Sequence, residues 1–120
     1  MTLLHHVNVV VPPGCTDEVV PFYELLGLTR LVKPTEGVAQ TGAWFAFADG
    51  QQLHVSEREG AVHPDQHFAI TVDDLDSLVA RLRDEGHPFE RKPDVNGMRR
   101  GDTADPRGNT VELMESLASK

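Results

Sequence analysis

Residues 50–57 read GQQLHVSE and residues 108–115 read GNTVELME. In the first, Leu53 and Val55 alternate with Gln52, His54 and Ser56. In the second, Val111 and Leu113 alternate with Thr110, Glu112 and Met114. A period of two is the mark of a strand with one face on a core and the other turned away. Each stretch also places a metal-ligand type of side chain four residues after its glycine: His54 after Gly50 and Glu112 after Gly108. The repeat continues outward. Residues 6–11 (HVNVVV) and 67–72 (HFAITV) are both β-branched runs that open on a histidine, His6 and His67. A pseudo-twofold relating the two halves superposes His6 on His67 and His54 on Glu112. These four side chains are the expectation for one divalent-metal site.

The segments between them give each half the same order. Residues 3–11 form a strand stopped by Pro12-Pro13-Gly14. Thr16-Asp17-Glu18 opens a helix to about Leu26, closed by Gly27, with Val19, Phe22, Tyr23 and Leu26 as its apolar stripe. Pro21 belongs in a first helical turn, so a later start is expected. Residues 29–33, 42–48 and 51–57 are strands, the last two joined across Asp49-Gly50, a strong hairpin signal. In the second half, residues 66–72 are a strand and Asp73 or Asp74 caps a helix. Its Leu75, Leu78, Val79 and Leu82 recur at helical spacing and Gly86 ends it. Residues 88–92, 98–104 and 110–115 are strands, and residues 116–120 are expected as a frayed tail. The fold class is α+β: residues 1–58 form a first βαβββ module, 59–65 a linker and 66–120 a second βαβββ module. In each, one strand face packs on a helix and the other lines a cavity.

Composition sets outer limits. At 120 residues each half is too small to be stable alone, so the halves are expected to associate. A net charge of −8 repels phosphate backbones and excludes nucleic acid as a natural partner. No apolar run approaches membrane-spanning length, and the first residues lack the basic and cleavage regions of a signal peptide. The single Cys15 excludes an intrachain disulfide and fits a reducing cytoplasm; it reads as an ordinary cysteine at a helix start.

Three imidazoles and a carboxylate suit zinc, nickel, cobalt, iron(II) or copper, not the all-oxygen shells of magnesium and calcium. Such a metal polarises a substrate oxygen or acidifies bound water. His5, His63 and His87 read as structural or surface residues. Asn8, Gln52 and Ser56 share the ligand face and are expected to contact substrate, with Trp44 as a wall and Arg99, or Arg100, for an anionic substrate. By parity Glu57 and Glu115 fall on the helix-packing face, which leaves Glu112 as the carboxylate able to carry protons.

Taken together, HHVNVVV, PFYELLGL, GAWFAFADGQQLHVS, HFAITVDDLDSLVARLRDEG and DPRGNTVELME resemble the vicinal oxygen chelate superfamily, which holds glyoxalase I, methylmalonyl-CoA epimerase, extradiol dioxygenases, fosfomycin-resistance transferases and bleomycin-binding proteins. The resemblance covers nearly the whole chain. It implies paired βαβββ modules whose curved mixed sheets form a metal-containing cleft, with His6, His54, His67 and Glu112 at the ligand positions. Glyoxalase I usually has a carboxylate where His54 stands. The implied function is a metal-dependent enzyme acting on a small oxygenated molecule, of isomerase or lyase type, with the metal stabilising an enolate or oxyanion. Two alternatives are a sequestering or resistance protein without turnover, and an extradiol-type dioxygenase using iron(II) at His6, His67 and Glu112. A homodimer is expected.

Overall fold

The computed structural model describes residues 1–119 and divides into two compact units, Met1–Val62 and His63–Lys120. The first holds β1 (His6–Val11), α1 (Thr16–Leu25), β2 (Thr29–Leu31), β3 (Ala43–Ala46) and β4 (Gln52–Glu57). The second holds β5 (His67–Thr71), α2 (Leu75–Asp84), β6 (Phe89–Val95), β7 (Met98–Ala104) and β8 (Thr110–Ser116), followed by a 3-10 turn at Leu117–Ser119. The strand orders are β1-β4-β3-β2 and β5-β8-β7-β6. In both sheets the outer pair, β1 with β4 and β5 with β8, is parallel, and the remaining pairs are antiparallel. These are two four-stranded mixed sheets with one main helix each, an α+β architecture.

The sequence repeat is a repeat of register. His6 lies opposite Gln52 and Asn8 opposite His54. His67 lies opposite Thr110 and Ala69 opposite Glu112. Each opening histidine therefore faces the residue two before its unit's second ligand candidate. The apolar alternation sets which face is buried. Val9, Val11, Leu53, Val55, Ala43 and Phe45 are buried in the first unit with Val19, Phe22 and Tyr23 of α1. Tyr23 packs on Phe22 edge-on at 5.0 Å and on Phe45 at 5.8 Å between ring centroids. Each such fully buried side chain contributes about 1.5–3 kcal/mol. Leu75, Leu78 and Leu82 of α2 meet the sheet bearing Val111 and Leu113 in the same way.

Glu57 and Glu115 fall on the helix side, as their parity implies, and there they do equivalent work. Glu57 accepts the Gly14 N–H at 2.9 Å and the Thr16 hydroxyl at 2.6 Å, at the start of α1. Those bonds, the Gly14 N–H first, hold its carboxyl below the usual range. Glu115 accepts the Leu75 N–H at 3.1 Å, at the start of α2. A carboxylate at the end of each last strand thus satisfies an N–H that a helix start leaves without an internal partner. Asp74 is the cap of α2, accepting from Ser77 N–H at 3.0 Å.

Some expected boundaries move. The first strand starts at His6, not residue 3, and β2 ends at Leu31. The hairpin before β4 is wider than drawn, because Phe47 N–H bonds to Gln51 and Gly50 N–H to Phe47. β6 runs on to Val95 through a register shift between Lys92 and Val95. Helix α1 does start at Thr16, with Pro21 inside it. Pro21 is exposed, so the helical bond it cannot donate is lost on the water side, where hydration replaces it. Gly42 has φ +83 and a Cβ there would lie 2.1 Å from the Val55 carbonyl oxygen, so only glycine fits where the chain enters β3. Lys120, the end of the expected tail, lies outside the described residues.

Candidate functional site

The open face of the first sheet carries His6 and Asn8 from β1, Gln52, His54 and Ser56 from β4, and Trp44 from β3, which lies opposite His54 in the antiparallel pair. Three of these rings form a stack. Trp44 and His54 are 4.1 Å apart and nearly parallel at 4°; His54 and His6 are 4.0 Å apart at 16°. His5 stands edge-on to His6, with their Nδ1 atoms 3.0 Å apart. His54 Nε2 is 2.9 Å from Gln52 Oε1. An amide oxygen only accepts, so the ring proton sits on Nε2 and Nδ1 keeps its lone pair. Burial, then the charges of His6, His5 and Lys33, push the His54 pKa down to about 4. The ring is neutral at physiological pH, the form in which a histidine binds metal.

The open face of the second sheet holds His67 from β5, Glu112 from β8, and Arg100 and Asp102 from β7. His67 Nδ1 is 3.0 Å from the Asp65 carbonyl, which fixes a proton on Nδ1 and turns Nε2 toward Glu112. That Nε2 lies 3.4 Å from Glu112 Oε1. A histidine oriented by a carbonyl on its far nitrogen is the usual support for a metal ligand. The other carboxylate oxygen, Oε2, is 3.3 Å from Arg100.

Each unit therefore brings its own two ligand candidates together: His6 with His54, and His67 with Glu112. Among the described residues no group of three His, Cys, Asp or Glu side chains is gathered to hold a metal ion, so neither unit assembles one by itself. Asn8, Gln52, Ser56 and Trp44 all lie on the ligand face of the first sheet, as expected. Arg99 does not lie on the ligand face, and its expected substrate contact is corrected here. It pairs in register with Glu115, donates to Asp76 at 2.7 Å and to Glu115 at 3.3 Å, and so lies on the helix side. The hydrogen bond to Asp76 leads in raising its pKa. The arginine beside Glu112 is Arg100, one residue on and therefore on the opposite face. Two residues of this region escaped the sequence reading. Asp102 lies directly across from Glu112, and strand parity in residues 98–104 was the signal for it. Lys33 acts on His54 from beyond β2, and no sequence signal marks that.

Residues 3–113 match the family model of the Glyoxalase/Bleomycin resistance protein/Dioxygenase superfamily. The chain belongs to this superfamily. Among solved members and neighbours of the glyoxalase/bleomycin resistance/dioxygenase superfamily, a glyoxalase family protein from Bacillus anthracis is 29% identical, with TM-score 0.86 over 97% of this chain and 96% of that one. TnmS3, an antibiotic binding protein from Streptomyces sp. CB03234, is 21% identical, with TM-score 0.75 over 97% of each chain. A mutant of the fosfomycin resistance protein FosX from Listeria monocytogenes, complexed with Mn(II) and 1S,2S-dihydroxypropylphosphonic acid, is 17% identical, with TM-score 0.79 over 97% of this chain and 93% of that one. No curated protein matches the chain. Among the described residues no helix is long and apolar enough to cross a membrane.

The four candidates, three imidazoles and one carboxylate, are donors of the kind that suits a divalent transition metal. His54 is neutral, His67 is oriented by a carbonyl, and Glu112 supplies the negative charge. The His6 and His54 rings are face to face, which sends their lone pairs along parallel planes.

Proposed function

We propose that this chain is a metal-dependent enzyme acting on a small oxygenated molecule, of isomerase or lyase type, with His6, His54, His67 and Glu112 as the metal ligands. The observation that carries this reading is the His67–Glu112 pair. Its imidazole is held by the Asp65 carbonyl with Nε2 turned to the carboxylate 3.4 Å away. The equivalent positions in the other unit hold His6 and His54 in the same register. When bound, a divalent transition metal (zinc, nickel, cobalt or iron(II)) supplies the positive charge that stabilises an enolate or oxyanion. The chain's own residues then do the rest. Asn8, Gln52 and Ser56 hydrogen-bond the substrate, Trp44 walls it, and Arg100 shares the Glu112 carboxylate with the metal. Glu112, or Asp102 across the ladder from it, is the carboxylate that takes a proton. We read the working unit as a homodimer in the cytoplasm.

A second reading is a small-molecule-binding protein without turnover. The Trp44–His54–His6 stack favours it, because a closed stack of rings is a binding wall as much as a ligand pair. Elemental analysis of protein purified without chelator or histidine tag separates the two. About one transition metal per chain, lost in His54→Ala and Glu112→Ala, supports the enzyme. Iron as the native metal turns the reading toward an oxygen-activating dioxygenase. Protein that stays empty after incubation with all these metals removes the enzyme reading and leaves the binding one.

A further inference from the structure

The chain carries a net charge of −8, yet the open face of its first sheet holds no carboxylate. Along the strands that face is His6, Asn8 and Val10, then Gln52, His54 and Ser56, then Trp44 and Ala46, then Thr29 and Leu31. The corresponding face of the second sheet carries Glu90, Asp102 and Glu112 in one row. The acids of an acidic protein are kept off the open face of one sheet and gathered on that of the other.

The hydrogen bonds within the first face add a second asymmetry. The Ser56 hydroxyl donates to Asn8 Oδ1 at 2.7 Å. The His54 ring donates from Nε2 to Gln52 Oε1 at 2.9 Å. Each amide oxygen accepts a bond from a neighbour in the sheet, which fixes which end of the amide carries the donors. Neither NH2 group meets an acceptor among the described residues. An amide held by its oxygen keeps two N–H donors for a ligand. Lys33 is half-buried beside this face and near enough for its charge, with those of His6 and His5, to bear on His54. Its ammonium donates to the Thr41 carbonyl, which ties it to the loop and leaves two further N–H groups. The result is a surface of donors bounded by the ring of Trp44, with no carboxylate on the same sheet face; the acid that shares the charge of Lys33 is Glu57, on the helix side.

We propose that this face binds the oxyanion of a small carboxylate or phosphonate, gripped by Lys33 and the NH2 groups of Asn8 and Gln52. It rests on the proposed function only for its role, which is to hold the charged end of the substrate. The binding itself requires no metal. Charge-assisted hydrogen bonds to a preorganised donor set are the strong ones, and an anion here replaces water without displacing any protein acceptor.

Trp44 is the chain's one tryptophan and is stacked in this face, so its fluorescence reads the site directly. The test is a titration of the metal-free protein, kept in chelator, with sodium methylphosphonate and separately with sodium acetate. Methylammonium chloride at matched ionic strength serves as the salt control. The expected result is a saturable change in Trp44 emission with at least one anion and none with the control salt. The tighter anion says whether the natural handle is a phosphonate or a carboxylate. Lys33→Met is expected to weaken binding about tenfold, the loss of one charged hydrogen bond. Lys92→Met, which removes a lysine paired with Glu90 on the second sheet, is expected to leave it unchanged. Since Lys33 also anchors a loop, Asn8→Asp is the independent variant: it puts an acid on an exposed position of the donor face and is expected to abolish binding. The proposal is overturned by no saturable response to either anion, by an equal response to the control salt, or by Lys92→Met weakening binding as much as Lys33→Met. It is also overturned if Asn8→Asp binds as the unaltered chain does. Because no metal is present, these outcomes are separate from the metal analysis, and either reading can fail alone.

Discussion

Replacing Arg100 by methionine separates two things the guanidinium does to Glu112. Its Nη1 is 3.3 Å from Glu112 Oε2, with side-chain exposures of 27% and 12%, so the pair is mostly but not fully out of water. A metal that binds Glu112 must share or take this carboxylate from Arg100. An exposed pair is worth up to about 1 kcal/mol and a charge-assisted hydrogen bond about 1.5–3 kcal/mol. This partly buried one falls near 1–2 kcal/mol on the same scale. Removing the competitor therefore tightens metal binding by roughly tenfold. The same change leaves Glu112 without its compensating charge in the metal-free protein, which loses about 1 kcal/mol and a few degrees of Tm. Methionine keeps most of the stem volume, so packing along β7 is little changed. The assay is competition with a chromophoric chelator for zinc or nickel, beside thermal unfolding of the metal-free protein. Tighter metal with lower metal-free Tm is the expected pair of results. Weaker metal binding in the variant, with the fold intact, refutes the argument: Arg100 then helps to present Glu112 to the ion and does not compete for it.

Two more outcomes follow from the same geometry. Glu115→Ala removes a carboxylate that is 1% exposed, accepts the Leu75 N–H and pairs with Arg99. It is expected to cost about 2–4 kcal/mol in denaturant unfolding, more than Glu57→Ala, whose carboxylate caps α1 from a more open position. Equal costs would remove burial as the cause. The depressed His54 pKa gives a pH signature. Folded at about 4 against an ordinary 6.5, the ring binds fewer protons in the folded state. Stability from this group is therefore complete above pH 6.5 and is lost as pH falls from there to about 4. The ring is only partly buried, so solvent screening holds the effect to the order of 1 kcal/mol. The difference between the unaltered chain and His54→Asn isolates it, and proton NMR of the His54 ring reads the pKa directly. A midpoint near 6.5 would show that burial and the neighbouring charges do not act on this ring.

Periodicity made much of this molecule legible in advance. The alternation in residues 50–57 and 108–115 gave β4 and β8 nearly to the residue, because a strand with one buried face has no freedom in which side chains it turns inward. The same parity put Glu57 and Glu115 on the helix side and His6, His54, His67 and Glu112 on the other. Helix α2 was marked by its leucine spacing and its aspartate cap. Helix α1 departs from the expected later start at Pro21, since the cost of a proline depends on which side of the helix faces water, and that is set by packing. Arg99 and Arg100 were separable only by register: adjacent residues of a strand point to opposite faces, and the pairing of β7 with β8 decides which is which.

Sequence by itself determined the two βαβββ modules, the superfamily resemblance, and the four side chains that share a face type, since all of these are carried by local alternation and by a repeat along the chain. Tertiary structure alone decided the contacts. It put Trp44 flat against His54, held the amides of Asn8 and Gln52 by bonds to their oxygens, gave Arg99 to Asp76 and Arg100 to Glu112, and set Asp102 across from that carboxylate. Those are matters of which strand lies beside which and in what register. Hydrogen bonds and charges act over a few ångströms of space between residues that are tens of positions apart in the chain.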